Sequence, residues 1–570
     1  MRACRRGARA PSAGVSPAEN VIDWQRALAK PLAKVVDYAL RFIMASVVVW
    51  LWRAPRMRAH PFPGARRILL AVGVGVAASW AAGCGHDADP VPEPVSIQYL
   101  ERPQPVLGWG SPRFTPDGRS LSFAFAHRDN PERRDVGMIS LVTGEFRCLT
   151  CAVPRSVAAH LWFPDGQRLL VYYFGIFTDN FFVFELGQPD RLLRIDGVKT
   201  AELTHDRFPV LSPDGRKLVW TKVRLDGFHI VMGDLVRDAN GYRVENLRHL
   251  YPPPVPPGAG LEDWARAHAW YEAKSFTDGG RTLVFAGTRD EAANVDIYLL
   301  DLLSGSVTRV TRHPEWDETA EFSPDGRWLA FESTRAHVVL RLLSLLRMPP
   351  LVDFAAVLPI TNITLTGPLF ATHEPFLLDR GGDRGEYFGQ RLSNEGDAGW
   401  ATRDGVRWHP DGTLLAWGAV LGPSIQDTHI GFARLGARRA QPAPFAASVP
   451  EPVWAPWLRD VSLRPNQIEE SLPGPFGGSA RLSVDGTLVA GRFRMDFVDL
   501  SVVPGEALNG SLAIQLSASD VARIDAEVRL AGAAKGFLDV ALEIAGNRAR
   551  GHLRVQRGRE QYQANLGDGG

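Results

Sequence analysis

Acidic and imidazole side chains recur at equivalent positions of repeated segments, and they are the residues of this sequence best suited to chemistry. Trp270-Tyr271-Glu272 matches Trp316-Asp317-Glu318 when the two segments are aligned on the turns that follow them. Carboxylates and imidazoles around one opening could bind a cation or a basic peptide, and paired carboxylates could perform general acid–base catalysis. One interpretation is that one channel rim gathers His205, Asp206, Arg207, His268, Glu272, His313, Asp317 and Glu318.

The alternative for these residues is that repeated units repeat their solvated side chains and pair them in local salt bridges. No spacing among them matches a known metal motif. The sequence also lacks Gly-x-Ser-x-Gly, a phosphate-binding loop, a dinucleotide fingerprint and His-Glu-x-x-His. We therefore predict no catalytic residue, no cofactor, no metal and no enzymatic activity.

Cys148 and Cys151 form a Cys-Leu-Thr-Cys pair for which three interpretations compete. A thioredoxin-like redox pair would need a βαβ setting, which the surrounding sequence does not provide. A zinc site would need two further ligands. The third interpretation, which we prefer, is a structural disulfide or a pair of strand-end thiols in an oxidising compartment.

The charge balance argues against nucleic acid as a partner. The chain has 64 Lys and Arg against 63 Asp and Glu. Basic residues are concentrated in 1–67, so the remainder is mildly acidic and shows no basic patch. A length of 570 residues predicts two or three domains.

A repeated turn motif indicates the β-strands that would position these side chains. In x-Pro-Asp-Gly, Pro sets φ near −65° and Gly supplies the positive φ that leads into the next strand. After the turn, residues alternate between apolar and polar, which predicts a β-strand. The first two spacings between copies are 48 and 49 residues, typical of propellers or solenoids. The copies contain Asp117-Gly118, Asp165-Gly166, Asp214-Gly215, Asp325-Gly326 and Asp411-Gly412, with a degenerate copy at Gly279.

These features predict an all-β protein. Four antiparallel strands per unit make one blade, and six units make a six-bladed β-propeller over residues 105–435. The stretch 336–400 is either a large insertion or a seventh, degenerate blade, and we expect six blades. Residues 436–474 are predicted to be a linker.

A second region of alternating residues predicts a small antiparallel β domain over 475–564, which is a sandwich or a barrel. Its turns contain Asp485-Gly486, Asn509-Gly510 and Gly546-Asn547. Residues 565–570 are predicted to be a disordered tail.

A targeting segment is predicted at 57–84, where arginines precede an apolar run from Ile68 to Trp80. Ala81-Ala82-Gly83-Cys84 resembles the lipobox of bacterial lipoproteins, although Ala81 stands where that family usually has Leu. The resemblance implies a lipid on Cys84. Gly85, instead of Asp, after the cysteine favours the outer membrane, with exposure at the cell surface as a further alternative.

An ordinary secretion signal or a short membrane anchor are the alternatives to a lipoprotein signal. Residues 85–104 are predicted to be a Pro-rich tether. Residues 1–56 are either an over-extended gene start, with Met57 as the true start, or an N-terminal membrane segment that includes Phe42–Trp52.

The repeat resembles that of TolB and of the non-catalytic propeller domain of prolyl oligopeptidases, most closely over 311–326 (TRHPEWDETAEFSPDG). The resemblance covers about 105–435. It implies a WD-type propeller that binds envelope proteins as a scaffold and brings no Ser-His-Asp triad.

Three functions follow as hypotheses. The preferred one is a lipid-anchored, non-enzymatic scaffold for envelope proteins. The alternatives are a hydrolase or lyase that acts on peptide or saccharide in the channel, and a structural surface protein that binds a polymer.

Overall fold

The computed structural model describes the chain from Asp89 onward. The signal segment 57–84 with Cys84, and the preceding residues 1–56, lie outside the described residues. None of the helices within the described ranges combines the length and hydrophobicity that crossing a bilayer requires. The described residues are 89–566 without 91, 158, 173–180, 199–204, 225–226, 256–257, 292, 336–343, 345, 350–372, 394–400, 421–426, 441–447, 462–466, 487–490, 518–520 and 546–547.

β-Strands dominate the described residues, and the predicted all-β, propeller-like class is confirmed. An α-helix, α1, spans Leu261–Ala267, and 3₁₀ turns span Asp278–Gly280 and Leu458–Asp460. The strands of the repeat region are β1 (Val95–Tyr99), β2 (Val106–Phe114), β3 (Ser120–His127), β4 (Arg134–Ser140), β5 (Phe146–Cys148), β6 (Ala159–Trp162), β7 (Arg168–Tyr172), β8 (Phe181–Glu185), β9 (Leu192–Asp196), β10 (His205–Leu211), β11 (Lys217–Arg224), β12 (Gly227–Arg237), β13 (Tyr242–Tyr251), β14 (Tyr271–Thr277), β15 (Thr282–Gly287), β16 (Asp296–Asp301), β17 (Val307–Arg309), β18 (Asp317–Phe322), β19 (Trp328–Ser333), β20 (Glu374–Asp379), β21 (Gln390–Arg391), β22 (Ala401–Trp408), β23 (Leu414–Val420) and β24 (Thr428–Leu435).

Antiparallel pairing groups these strands into units of four. Units 1 to 5 take the strands in chain order, β2–β5, β6–β9, β10–β13, β14–β17 and β18–β21, and unit 6 is β22–β24 with β1. Units 2 and 3 share one eight-stranded sheet because β9 and β13 pair in parallel. The stretch 336–400 contributes β20 and β21 to unit 5.

The repeated Asp-Gly pairs form tight turns between the first two strands of their units. In the first copy, Gly118 N–H donates to Thr115 O at 2.8 Å. Asp117 Oδ1 accepts hydrogen bonds from the Thr115 hydroxyl at 2.6 Å and from Arg119 N–H at 3.0 Å. The turn therefore satisfies its own polar groups. The glycine φ angles are 71° at Gly118, 65° at Gly166, 69° at Gly215, 70° at Gly326 and 74° at Gly412.

The turns of consecutive units touch one another. Gly166 lies against Pro116, and Gly215 lies against Pro164. The same kind of contact continues through all units and returns to the first, in the pairs Gly280–Pro213, Gly326–Thr277, Gly412–Pro324 and Gly118–His409.

Hydrogen bonds also join each unit to the next. The parallel pairing of β9 and β13 links units 2 and 3. The other junctions are made by Trp162 Nε1 to Ser122 Oγ (2.8 Å), Ala273 N to Thr221 Oγ1 (3.1 Å), Ser275 Oγ to Ala320 O (2.8 Å), Trp408 Nε1 to Glu321 O (3.0 Å) and Trp109 N to Thr428 Oγ1 (2.9 Å).

The predicted tether at 85–104 needs correction, because part of it is a strand. Val95 to Tyr99 pairs antiparallel with β24 and completes unit 6. Glu93 reinforces the junction through an ion pair with Arg438 (2.5 Å) and a backbone hydrogen bond to Gln390 Oε1 (2.9 Å). The physical reason is that β24 has an open edge, and an alternating segment such as Val95–Tyr99 satisfies its free N–H and C=O groups.

The predicted linker at 436–474 is likewise partly ordered. Lys217 Nζ forms an ion pair with Glu451 Oε2 at 2.6 Å. The Arg248 guanidinium lies 3.4 Å from the centre of the Trp457 ring. Trp454 Nε1 donates to Leu302 O at 2.8 Å. These contacts hold this part of the segment on units 3 and 4.

The C-terminal strands form one antiparallel sheet in consecutive order, which begins at 467 rather than at the predicted 475. Alternate residues are buried: Phe493 and Met495 face inward, whereas Arg494 is exposed. The choice between a sandwich and a barrel stays a prediction. The strands are β25 (Gln467–Pro473), β26 (Ser479–Gly486), β27 (Gly491–Leu500), β28 (Glu506–Leu516), β29 (Val521–Gly532), β30 (Gly536–Ala545), β31 (Arg548–Arg557) and β32 (Glu560–Leu566).

The contact between the turns of units 6 and 1 can be tested with Gly118→Ala. A Cβ there would lie 2.5 Å from His409 Nε2, which also bonds to Gly118 O at 2.9 Å. Gly144→Ala is the matched control, because Gly144 has φ 74° and no atom within 4 Å of its would-be Cβ. Both variants should lose about 1 kcal/mol from backbone strain, and Gly118→Ala about 1–2 kcal/mol more from displacing His409. Equal losses in denaturant unfolding would contradict the contact.

Candidate functional site: the central cavity

A cavity of about 510 Å³ opens where the innermost strands of all six units meet. Unit 2 contributes Leu161 and Trp162, and unit 3 contributes Phe208. The charged and titratable side chains along its wall are Arg113, Lys274, Glu318, Glu321, Glu332, His373 and Arg407. Because the wall draws on every unit, the cavity depends on the whole repeat region.

Bulges in the innermost strands shape this wall. The register shifts in β2, β10, β18 and β22, and each shift contains a residue with positive φ. These residues are Ser111 (51°), Phe208 (49°), Thr319 (42°) and Gly405 (87°), each six positions before the Asp of its turn. A bulge re-aims the following side chains, and holding a non-glycine residue there costs of the order of 1–3 kcal/mol. The bulges therefore lower the local stability of the innermost strands that line the cavity.

A Glu-Lys-Glu triad of Glu272, Lys274 and Glu318 joins units 4 and 5 at the cavity. Lys274 Nζ donates to Glu272 Oε2 at 2.7 Å and to Glu318 Oε1 at 3.0 Å. Each glutamate also accepts the indole N–H two residues before it, from Trp270 and Trp316, at 3.0 Å. The matching of these two segments in the sequence thus corresponds to matched contacts in the structure.

The two carboxyl groups of the triad have very different pKa values, because their burial and their charged neighbours differ. It raises the pKa of Glu272 to about 7, against the opposing effect of the Lys274 charge. Burial also acts on Glu318, but Lys274 and His373 outweigh it and lower the pKa of Glu318 to about 2. Glu272 is the deeper side chain, at 2% exposed against 20% for Glu318. The triad therefore holds its proton on Glu272 at mildly acidic pH.

A second charged group lies on units 5 and 6. Arg407 Nη1 is 3.4 Å from Glu321 Oε2. Burial raises the pKa of Glu321, although Arg407 and Arg113 both oppose this shift. Glu332 Oε1 accepts the Gly405 N–H at 2.8 Å. The acids of the cavity wall are thus bonded to neighbouring protein groups.

The predicted rim is not assembled as one ring. Glu272 and Glu318 meet through Lys274, and the nearby charge of Arg207 acts on Glu272. Asp206 instead is not part of the cavity wall. It is buried, with Lys222 Nζ at 2.7 Å and Trp220 Nε1 at 2.9 Å.

Asp317 likewise bonds to Arg335 and Ser333 in a buried network, each at 2.6 Å. Asp317 and Glu318 separate because adjacent residues of a strand point to opposite faces.

The predicted rim histidines are placed outside the cavity wall or outside the described side chains. His268 stacks on Trp264 at 3.8 Å between ring centres and bonds to Trp264 O through Nδ1 at 2.7 Å. His313 packs edge-on against Phe388. The His205 backbone belongs to β10, but its side chain is outside the described residues. His268 and His313 lie on connections that precede β14 and β18, which explains their separation from the strand residues.

Six residues of the cavity were not predicted from the sequence: Lys274, Arg113, Arg407, Glu321, Glu332 and His373. The position of Lys274, two residues after Glu272 on the same face of a strand, was an available signal. The bulges give no comparable signal, since Ser111, Phe208 and Thr319 are not turn-type residues.

The structure contains a disulfide between Cys148 and Cys151. His127, Asp135 and Cys151 have donor atoms within 4.8 Å of one another. However, Cys151 Sγ is bonded to Cys148, and the Asp135 carboxylate accepts hydrogen bonds from Arg133 Nε at 2.6 Å and from the Thr150 hydroxyl at 2.8 Å. These atoms are engaged within the protein and do not form an open metal site.

No family model matches the chain. An uncharacterized protein of Agrobacterium fabrum is 35% identical over 68 residues, which are 12% of this chain and 20% of that relative. The match therefore spans about a fifth of the relative's length.

Three solved structures to which the chain is similar are a TolB, a lyase and a peptidase. The putative TolB from Agrobacterium tumefaciens is 16% identical, with a TM-score of 0.35 over 60% of this chain and 99% of that chain. Oligogalacturonate lyase in complex with manganese is 13% identical, with a TM-score of 0.33 over 60% and 97%. Prolyl oligopeptidase B from Galerina marginata is 11% identical, with a TM-score of 0.31 over 68% and 46%. The predicted resemblance is confirmed, and it concerns the fold alone.

The raised pKa of Glu272 predicts a measurable effect of pH on stability. A carboxyl group whose pKa is about 7 in the folded state and 4.5 in the unfolded chain stabilises the folded state fully below pH 4.5. This contribution is lost as pH rises through about 7, and it is worth about 2–3 kcal/mol. Glu272→Gln should therefore shrink the fall in unfolding free energy between pH 5 and pH 8. Glu527→Gln, at a glutamate that is 73% exposed, is the control, and an unchanged pH slope in Glu272→Gln would refute the assignment.

Proposed function

We propose that the six units are the blades of one closed β-propeller, with β1 as the last strand of unit 6. Support comes from the turn contacts, which run through every unit and return from unit 6 to unit 1 at Gly118 and His409. The hydrogen bonds between units follow the same order. A propeller whose first and last strands lie in the same blade resists opening. Separating these two strands would break a complete strand pairing.

We further propose that this propeller is a binding scaffold for an envelope protein and that its central cavity receives a segment of that partner. The observation that carries the proposal is the cavity itself, which is lined by every unit. Its acids are already bonded to Lys274, Arg407 or a backbone N–H. Groups held in this way are suited to recognition by a fixed pattern of charge, which gives specificity to an interface.

The charge pattern indicates what kind of segment would fit. Around Glu321, two guanidinium groups, those of Arg113 and Arg407, face one carboxylate. In the triad, two carboxylates face one ammonium group. The wall therefore presents charged groups of both signs, so we expect a partner segment that also carries both signs of charge.

One observation favours a second candidate function, an enzyme of the channel. Glu272 and Glu318 are neighbouring carboxyl groups with pKa values of about 7 and about 2, and such a separation is what general acid–base catalysis uses. A hydrolase or lyase that acts on a peptide or saccharide would therefore use this pair. The scaffold is preferred because Lys274 bridges both carboxylates and Glu272 is enclosed behind it.

The proposed location is the periplasmic side of the bacterial outer membrane, with a lipid on Cys84 as the anchor. The residues before Cys84 support the anchor, and Gly85 supports the outer membrane. A disulfide between Cys148 and Cys151 fits an oxidising compartment.

The scaffold is tested by co-purification of partners with the full-length protein and with Glu318→Gln/Glu321→Gln. Both substitutions keep side-chain size and remove charge from the cavity wall, so capture of a specific envelope protein should fall at least about tenfold, the equivalent of 1.4 kcal/mol. Glu527→Gln/Glu543→Gln removes two charges from exposed positions of the C-terminal sheet and should capture the partner as the wild type does.

Equal capture by the cavity variant would place the interface elsewhere. Turnover of a peptide or saccharide by the wild type, lost in Glu318→Gln/Glu321→Gln, would instead favour the channel enzyme.

The anchor is tested by Cys84→Ser in cells grown with radiolabelled palmitate. The wild type should carry label and sediment with outer membranes, whereas Cys84→Ser should carry none and should not be processed as a lipoprotein. Cys148→Ser/Cys151→Ser, which keeps Cys84, is the control and should carry label as the wild type does. Label that persists in Cys84→Ser would exclude this cysteine as the lipid site.

A further inference from the structure

We propose that the Cys148–Cys151 disulfide is a thiol–disulfide exchange site, with Cys151 as the sulfur that meets an external dithiol and His127 as the group that stabilises its thiolate. This inference is independent of the proposed scaffold function, since it concerns the outer end of unit 1 and not the central cavity.

Unit 4 adopts the same backbone arrangement without a disulfide. In unit 1, Leu149 N–H donates to Val136 O at 2.8 Å, and Thr150 Oγ1 accepts the Val136 N–H at 2.9 Å. In unit 4, the Val310 N–H donates to Ile297 O at 2.8 Å.

Thr311 Oγ1 completes the match, because it accepts the Ile297 N–H at 2.9 Å. The buried acid is repeated too, since Asp135 accepts from Thr150 as Asp296 accepts from Thr311. Arginines Arg309 and Arg312 occupy the positions of the two cysteines.

The disulfide is therefore not needed to form this end of a unit. It also closes a loop of only four residues, for which the chain-entropy gain is small. A bond that adds little to the fold is available for chemistry.

The surroundings of Cys151 favour reaction at that sulfur. Cys151 is exposed, whereas Cys148 is half-buried. His127 Nε2 lies 3.8 Å from Cys151 Sγ and 2.8 Å from Asp135 Oδ2, so the buried carboxylate holds the imidazole beside the sulfur. Arg133 Nη2 reaches Cys151 O at 3.4 Å. Neighbouring cationic groups favour the thiolate, which is the reactive form of cysteine.

The exchange would proceed in two steps with a partner dithiol. One partner thiolate attacks Cys151 Sγ, a mixed disulfide forms, and Cys148 leaves as a thiolate that takes a proton. The second partner thiolate then attacks its own mixed-disulfide sulfur and releases Cys151 as a thiolate beside His127. The partner loses two electrons and two protons and becomes a disulfide, while the two cysteines become thiols. The same contacts serve the reverse reaction, in which Cys151 is the nucleophile.

The test measures how fast iodoacetamide alkylates Cys151 in the full-length protein after its disulfide has been reduced and the reductant removed, with acid quenching and mass spectrometry, from pH 5 to pH 9. The wild type should react at pH 7 at least about tenfold faster than His127→Gln, a factor that corresponds to 1.4 kcal/mol. The difference between the two proteins should shrink toward pH 9, because an ordinary cysteine thiol, with a pKa of about 8.5, is then mostly ionised without help from His127. His552→Gln is the matched control, since His552 also bonds to an aspartate, Asp539, at 3.2 Å.

Equal rates and equal pH profiles for the wild type and His127→Gln would overturn the role of His127 and with it the proposal. Thermal unfolding of Cys148→Ala/Cys151→Ala provides a second measurement. A melting temperature within about 4 °C of the wild type is expected for a bond that the fold does not need. Failure of this variant to fold would show a structural disulfide and would contradict the proposal.

Discussion

The contacts between the first and last parts of the repeat region are the constraint on which the rest of this structure depends. A four-stranded sheet has two open edges, and a row of such sheets needs its ends joined before the innermost strands can enclose a space. Here Val95–Tyr99 pairs with Thr428–Leu435, and the turn at Gly118 meets His409. With both contacts in place, the bulged strands face one another and form the cavity wall.

Because the cavity wall is partly removed from water, its charged side chains need bonding partners within the protein. Charged side chains that leave water are costly unless they are paired, and the acids of the wall are bonded to Lys274, Arg407 or a backbone N–H. Buried charges outside the wall are paired as well, since Asp317 and Asp383 both form ion pairs with Arg335. Such pairs contribute little net stability, but they hold side chains in defined positions. A site of fixed charges suits recognition of a partner.

Local features of this fold were predictable, and its long-range features were not. Pro-Asp-Gly dictates its own turn, so strands on both sides of Asp117 or Asp325 follow from the sequence. The role of Val95–Tyr99 does not, because its pairing partner lies more than three hundred residues away. The rim prediction failed where strand alternation separates Asp317 from Glu318. Positive φ at Thr319 had no sequence signature, because the surrounding sheet imposes it.

The central claim, that the cavity binds a partner segment, is tested most directly by photo-crosslinking in living cells. A photoreactive amino acid at Leu161, on the cavity wall, would be compared with the same residue at Val142, which is 81% exposed. We expect one defined envelope protein to be joined at Leu161 and not at Val142. The absence of an adduct at Leu161, or the same adducts at both positions, would contradict it.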